Sequence, residues 1–211
     1  MIAIDGPAAS GKGTLAIRLG QALGLPVLDT GLLYRAVGVA VIEADDSPDD
    51  KDAAGRAARA LSFEALGAEA LRTAAAGEAA SRVAVHPAVR EALLTFQRDF
   101  AAREPGAILD GRDIGTVVAP GARCKLFVTA TPETRARRRH EQLRARGDTV
   151  NYAAVLEDIL RRDARDAGRD AAPMSRAADA VLLDTTDLDI DAAFDAALRI
   201  VEASRGGRDS S

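Results

Sequence analysis

Short apolar runs alternate along this 211-residue chain with longer stretches in which leucine, valine and isoleucine return every three or four positions. Ile2-Ala3-Ile4, Val27-Leu28-Asp29, Ile108-Leu109-Asp110, Lys125 to Thr129 and Ala180 to Asp184 are short runs, which predicts strands. Between them, Leu15, Leu19 and Leu23 share a helical face that Gly24 and Pro26 terminate, and Leu33, Val37 and Val41 mark a helix from about Gly31 that stops at Asp45-Asp46-Ser47-Pro48. Pro87 suits a first helical turn ahead of Val89, Leu93, Phe96 and Phe100, and Pro105-Gly106 ends that element. Thr131-Pro132-Glu133 starts another. Asn151 caps a helix from about Tyr152 that carries Leu156 and Ile159 or Leu160, and Ile190, Phe194, Ala197, Leu198 and Val201 form a last amphipathic helix. The tail after Ser204 is polar and expected to fray. Strands alternating with helices predict an α/β fold, a five-stranded parallel sheet flanked by helices, with ligands beyond the carboxyl ends of the strands. Asp29 and Asp110 fall at that edge.

Residues 45 to 80 break this rhythm. They are rich in Ala, Asp, Glu and Gly, with few large apolar side chains besides Leu61, Phe63, Leu66 and Leu71, and are expected to form a surface insert. The 47% hydrophobic content is enough for a real core, so residues 1–211 are taken as one domain with inserts. A net charge of −4 and 3% aromatic content argue against nucleic acid or an anionic membrane as partner. Cys124 has no second cysteine to pair with, and no Cys/His metal-ligand spacing exists, which fits a reducing compartment. The first strand starts at once, leaving no room for a targeting peptide, and no apolar stretch approaches membrane-spanning length. The expectation is a cytoplasmic protein. No heptad or surplus apolar helix is visible, so a monomer is expected.

The chemistry is concentrated in Gly6-Pro7-Ala8-Ala9-Ser10-Gly11-Lys12-Gly13-Thr14, which lies between the first strand and the first helix. Backbone N–H groups can converge on phosphate oxygens only where bulky side chains are absent, and a helix N-terminus adds partial positive charge. Lys12 is placed to reach the β- and γ-phosphates as a point charge. Only three lysines stand against twenty-five arginines, so a lysine at this position is not background composition. The hydroxyl comes one position later than in the plain Walker pattern, on Thr14. These features predict the P-loop NTPase fold with ATP as ligand, and the Gly-Lys-Gly-Thr form resembles nucleoside monophosphate kinases.

Four stretches together resemble one family, the bacterial cytidylate kinases. They are Ile4-Asp5-Gly6-Pro7 through Thr14, Leu28-Asp29-Thr30-Gly31 with Tyr34-Arg35, Asp110-Gly111-Arg112-Asp113-Ile114-Gly115-Thr116, and Arg162-Asp163 to Arg169. The resemblance implies an ATP-dependent kinase that converts CMP and dCMP to their diphosphates. It places Arg35, Arg112 and Arg169 on the acceptor phosphate with the Thr30 hydroxyl, and makes Arg162 a candidate at the transferred group. Ser81, Arg90 and Asp113 are assigned to the base and Asp166 to the ribose. Residues 36–85 would be a monophosphate-binding insert and 139–170 a helical lid. Arg135, Arg138 and Arg139 share a helical face by spacing, and in related kinases such arginines close over the ATP phosphates.

Arginine suits this work because its planar guanidinium grips two phosphate oxygens at once. A phosphate acceptor is already ionised at neutral pH, so a chain whose only histidines are His86 and His140 needs no general base. Mg²⁺ is expected to bridge the β- and γ-phosphates, with Thr14 and Asp110 as candidate contacts. Arg137, Arg161 and Arg165 read as solvated helix faces, and Tyr34 as packing or binding. The segment between Arg35 and Ser81 departs from the family: it is shorter than in many members and lacks their β-branched, hairpin-like stretch. Another acceptor, UMP or less readily shikimate, and a non-catalytic nucleotide-binding regulator stay open as alternatives.

Overall fold

A computed structural model describes residues 1–62, 66–67 and 69–206. Five strands occupy the predicted runs: β1 (Ile2–Asp5), β2 (Val27–Asp29), β3 (Ile108–Gly111), β4 (Cys124–Thr129) and β5 (Val181–Asp184). All ladders are parallel, in the order β2-β3-β1-β4-β5, so β1 is central and every described strand points its carboxyl end toward the same edge. Asp5 is level with Gly111 on one side and Phe127 on the other.

Helices cover both faces. On one, α1 (Lys12–Leu23) and α8 (Ile190–Gly206) bury Leu15, Leu19, Ala197 and Val201 against Ile2, Ile4, Leu126 and Val128. On the other, α2 (Thr30–Glu43) and α5 (Pro87–Ala101) bury Leu33, Val37, Val41, Val89 and Leu93 against Leu28 and Leu109. A third, smaller cluster joins α6 (Pro132–Ala145) to α7 (Tyr152–Ala167) through Ala136, Leu143, Val155 and Ile159. The predicted start signals work as expected. Thr131 accepts from the Thr134 N–H, Asn151 from the Ala153 N–H, and Pro87 sits in the first turn of α5.

The region expected to be a surface insert contains two helices, α3 (Lys51–Arg59) and α4 (Ala74–Val83). Their buried faces are built from small residues, Ala53, Ala54 and Ala58 in α3 and Ala76, Gly77, Ala79 and Ala80 in α4. Because α4 lies directly on α2, a Cβ at Gly38 would stand 2.7 Å from the Ala79 Cβ. A search for large apolar side chains at helical spacing misses such an interface. Asp50 and Thr73 cap the two helices, which a fuller search for N-cap residues in this segment would have found. Phe63 and the tail residues 207–211 lie outside the described residues.

Candidate active site

Between β1 and α1 the chain makes the predicted phosphate loop. Gly6 has φ +150°, and a Cβ there would lie 2.0 Å from the Val128 carbonyl oxygen, so only glycine can carry the chain past β4 at that point. Gly11 is left-handed, at φ +89°, immediately before the first turn of α1. Ala8, Ala9, Gly11, Lys12, Gly13 and Thr14 line a cleft of about 360 Å³ at the carboxyl edge of the sheet. Gly6, Pro7 and Ser10 form the inner course of the loop and do not line it. Lys12 Nζ is buried and donates to the Pro7 carbonyl at 3.2 Å. Burial and the neighbouring Arg112 guanidinium hold its pKa below the ordinary lysine value.

Helices α2, α4, α5, α6 and α7, the residues just beyond α7 and the turn after β3 complete the cleft, and bring together Thr30, Arg35, Ser81, Arg90, Arg112, Asp113, Arg162, Asp166 and Arg169. Within it Arg90 and Asp113 form a buried ion pair, with the Arg90 guanidinium 5.6 Å from the centre of the Tyr34 ring. Ser81 is buried too and its Oγ has no hydrogen-bond partner. Although its neighbours in sequence are mostly alanine, α4 turns Ser81 inward. Elsewhere in the same cleft cations crowd. Arg112 Nε donates to Asp166 Oδ2 at 2.9 Å, and Asp166 Oδ1 lies 3.6 Å from Arg169. Burial opposes charge on Asp166, but Arg112 and Arg169 outweigh it and keep its pKa low.

The other cations are less well balanced: Arg162 lies 3.9 Å from Asp158, and the arginines press on one another. Burial and Arg162 push Arg35 down to about 10, and burial and Arg112 lower Arg162. Burial and Arg162 lower Arg139 in turn. Arg35 donates to the Leu71 carbonyl at 2.8 Å and Arg162 to the Gly77 carbonyl at 3.3 Å, while Arg162 Nε and Arg169 Nη2 have no hydrogen-bond partner. Asp110 lies beside Lys12. Its Oδ1 is buried without a hydrogen-bond partner, and burial together with Asp29 pushes its pKa up. Thr30 Oγ1 donates to the Asp110 backbone carbonyl at 2.8 Å.

Not every expected residue arrives. Arg135 is buried, donates to the Ala8 and Ala130 carbonyls and pairs with Asp163 at 2.6 Å. Arg138 donates to the Thr185 and Leu188 carbonyls. Of Arg135, Arg138 and Arg139 on α6 only Arg139 lines the cleft, because the other two are already bound to protein acceptors. Gln142, Asp158 and Tyr34 line it as well; Asp158 stands four residues before Arg162, a spacing that could have signalled it. Arg165, read as a solvated face, instead crosses to Glu78 on α4 at 2.9 Å, while exposed Arg161 pairs with half-buried Asp158 at 2.7 Å.

A family model described as Cytidylate kinase matches residues 2–203. A Caulobacter vibrioides protein named Cytidylate kinase is 61% identical over 205 residues, covering 97% of this chain and 96% of that one. A Xanthobacter autotrophicus protein of the same name is 62% identical over 208 residues, covering 99% and 100%. Among solved structures, an uncharacterized protein from Eubacterium ventriosum matches with a TM-score of 0.56 at 17% identity, covering 96% of this chain and 97% of that one, a likeness of fold.

Proposed function

The chain belongs to the cytidylate kinase family, and from that premise we infer that it transfers the terminal phosphate of ATP to CMP and dCMP, yielding CDP and dCDP with ADP. The observation that carries the residue assignments is the polarity of the cleft. The cleft holds a charge-balanced Arg90–Asp113 pair and an unpartnered Ser81 hydroxyl, and it also holds a surplus of guanidinium groups lining it together with the phosphate loop.

In this reading the phosphate loop and Lys12 cradle the donor phosphates. Arg35, Arg112 and Arg169, with the Thr30 hydroxyl, grip the acceptor phosphate, and Arg162 and Arg139 neutralise charge developing on the transferred group. Catalysis is then positioning and charge neutralisation between two polyanions, with no proton to abstract. The lowered pKa values of Arg35, Arg139 and Arg162 have the right sign, since each is buried with another arginine as its next perturber and a phosphate would supply the balancing charge.

As the base, cytosine offers its N4 amine as donor and N3 and O2 as acceptors. Asp113 accepts from N4 and Arg90 donates to the acceptors, with the Ser81 hydroxyl free to join. Uracil would set a carbonyl oxygen against the Asp113 carboxylate, an arrangement that rejects it strongly. Asp166 contacts the ribose. Residues 36–85 act as the monophosphate-binding segment, and 139–170, with α7 on α4, as the lid that excludes water.

Mg²⁺ fits this cleft because Asp110 presents a buried, unpartnered oxygen whose pKa is raised next to Asp29. Thr14 and Asp110 would hold it. When bound it neutralises charge across the β- and γ-phosphates. Release of ADP from Mg·ATP, compared for CMP, dCMP, UMP, AMP and no acceptor, tests the whole reading. Turnover confined to CMP and dCMP is expected, and equal use of UMP would refute the base assignments.

A further inference from the structure

Asp5 has no part in the chemistry described so far, yet it ties the strand before the phosphate loop to the turn after β3. It closes the central strand, directly before Gly6, and is 4% exposed. Its two carboxylate oxygens accept separate backbone hydrogen bonds, Oδ1 from the Ile114 N–H at 2.8 Å and Oδ2 from the Gly115 N–H at 2.7 Å. Those N–H groups open a π-helical turn, Ile114–Val118, that follows β3. Between the strand and the turn stand Arg112 and Asp113, whose side chains take different partners in the cleft, Arg112 pairing with Asp166 and Asp113 with Arg90.

Resting on the assignments above, we propose that Asp5 is a positioning residue for acceptor recognition, clamping the turn that carries Arg112 and Asp113 to the strand that carries the phosphate loop. The physical case is one of valence. Two convergent N–H donors at the start of a turn require two acceptor oxygens, and the carboxylate supplies both from one rigid strand end. An amide in its place keeps one oxygen and sets an NH₂ group against the second N–H. That leaves a buried donor unpaired and frees the turn to shift. A shift of a few tenths of an ångström at Asp113 is felt at a base-reading contact, because discrimination there depends on an unpaired group being forced upon the wrong base. The donor site depends on the glycine-governed course of the loop beyond Gly6, so it should be less affected.

The test is steady-state kinetics of the full-length protein with Asp5→Asn, alongside wild type and Asp113→Asn, measuring kcat and KM for CMP, UMP and ATP together with the melting temperature. Asp5→Asn is expected to raise KM for CMP about tenfold, reduce the CMP-over-UMP preference in kcat/KM, and change KM for ATP much less. Gly115→Ala strains the same clamp with the carboxylate intact, since its Cβ would stand 3.3 Å from Asp5 Oδ2 and 3.2 Å from Lys125 Cδ. It should shift selectivity in the same direction by less, and it decides the matter if Asp5→Asn does not fold. A lowered melting temperature with unchanged KM for CMP and unchanged base preference would make Asp5 merely structural and overturn the proposal. If wild type shows no CMP preference, or Asp113→Asn does not change it, the base assignment itself falls and takes this inference with it.

Discussion

Two groups of side chains in the cleft, those assigned to the base and those assigned to the phosphates, are built on opposite electrostatic plans. Among those assigned to the base the charges are balanced before any ligand arrives: Arg90 and Asp113 are paired, and only the Ser81 hydroxyl is left unpartnered. Around the phosphates Lys12, Arg35, Arg139 and Arg162 lie among other cations, each with its pKa lowered by burial and each with a neighbouring arginine as the next cause. A neutral, geometrically fixed pair suits discrimination between similar bases, where a hydrogen bond is either made or left unpaired. A cationic field short of anions suits tight engagement of phosphates, whose identity hardly varies. Specificity and rate are thus assigned to different side chains, and can be perturbed separately.

The largest effect should come from the residues assigned to the phosphates. Lys12→Ala is expected to lower kcat/KM by roughly 10²–10³-fold with CMP and UMP alike, measured as ADP release. A change at the scaffold of the residues assigned to the base should act through stability. Gly38→Ala places a Cβ 2.7 Å from that of Ala79 and forces α4, which carries Ser81, away from α2. A loss of about 1–3 kcal/mol in denaturant unfolding is expected, with a higher KM for CMP. A smaller signature should appear in calorimetry. Burial and Arg112 lower the Lys12 pKa in the free protein, and phosphates favour its charged form, so ATP binding raises that pKa and takes up protons. Affinity should fall as pH rises on the alkaline side, and binding heats should depend on the ionisation enthalpy of the buffer. Heats independent of buffer would contradict this. The weakest effect belongs to Arg165→Gln, which removes a partly exposed ion pair between α7 and α4. It should change KM by no more than severalfold, on the order of 0.2–1 kcal/mol, and leave base preference untouched.

How much of this was legible in the sequence depended on the size of the side chains involved. All five strands and the phosphate loop could be read because isoleucine, leucine and valine runs and a glycine-framed lysine leave strong local signals. Helices α3 and α4 could not, since alanine and glycine on a buried face look the same as alanine and glycine on a surface. The fates of Arg135, Arg138 and Arg165 were equally hidden. Helical spacing places three arginines on one face, but only tertiary structure puts Asp163 beside Arg135 and the Thr185 carbonyl beside Arg138. Glu78 reaches Arg165 only because α4 docks beside α7. Asp5 illustrates the same limit: its neighbours in sequence disclose the phosphate loop, whereas its hydrogen-bond partners stand more than a hundred residues away.

Adjacent residues allow the division of labour to be tested within one turn. Arg112→Ala and Asp113→Asn, each assayed with saturating Mg·ATP against CMP and UMP, should behave differently. Arg112→Ala is predicted to lower kcat/KM for both acceptors by the same factor, leaving their ratio at the wild-type value. Asp113→Asn should reduce the CMP preference by about tenfold or more, with a smaller loss of kcat. An Asp113→Asn enzyme with the wild-type ratio, or an Arg112→Ala enzyme whose ratio collapses just as far, would contradict the separation of base reading from phosphate binding.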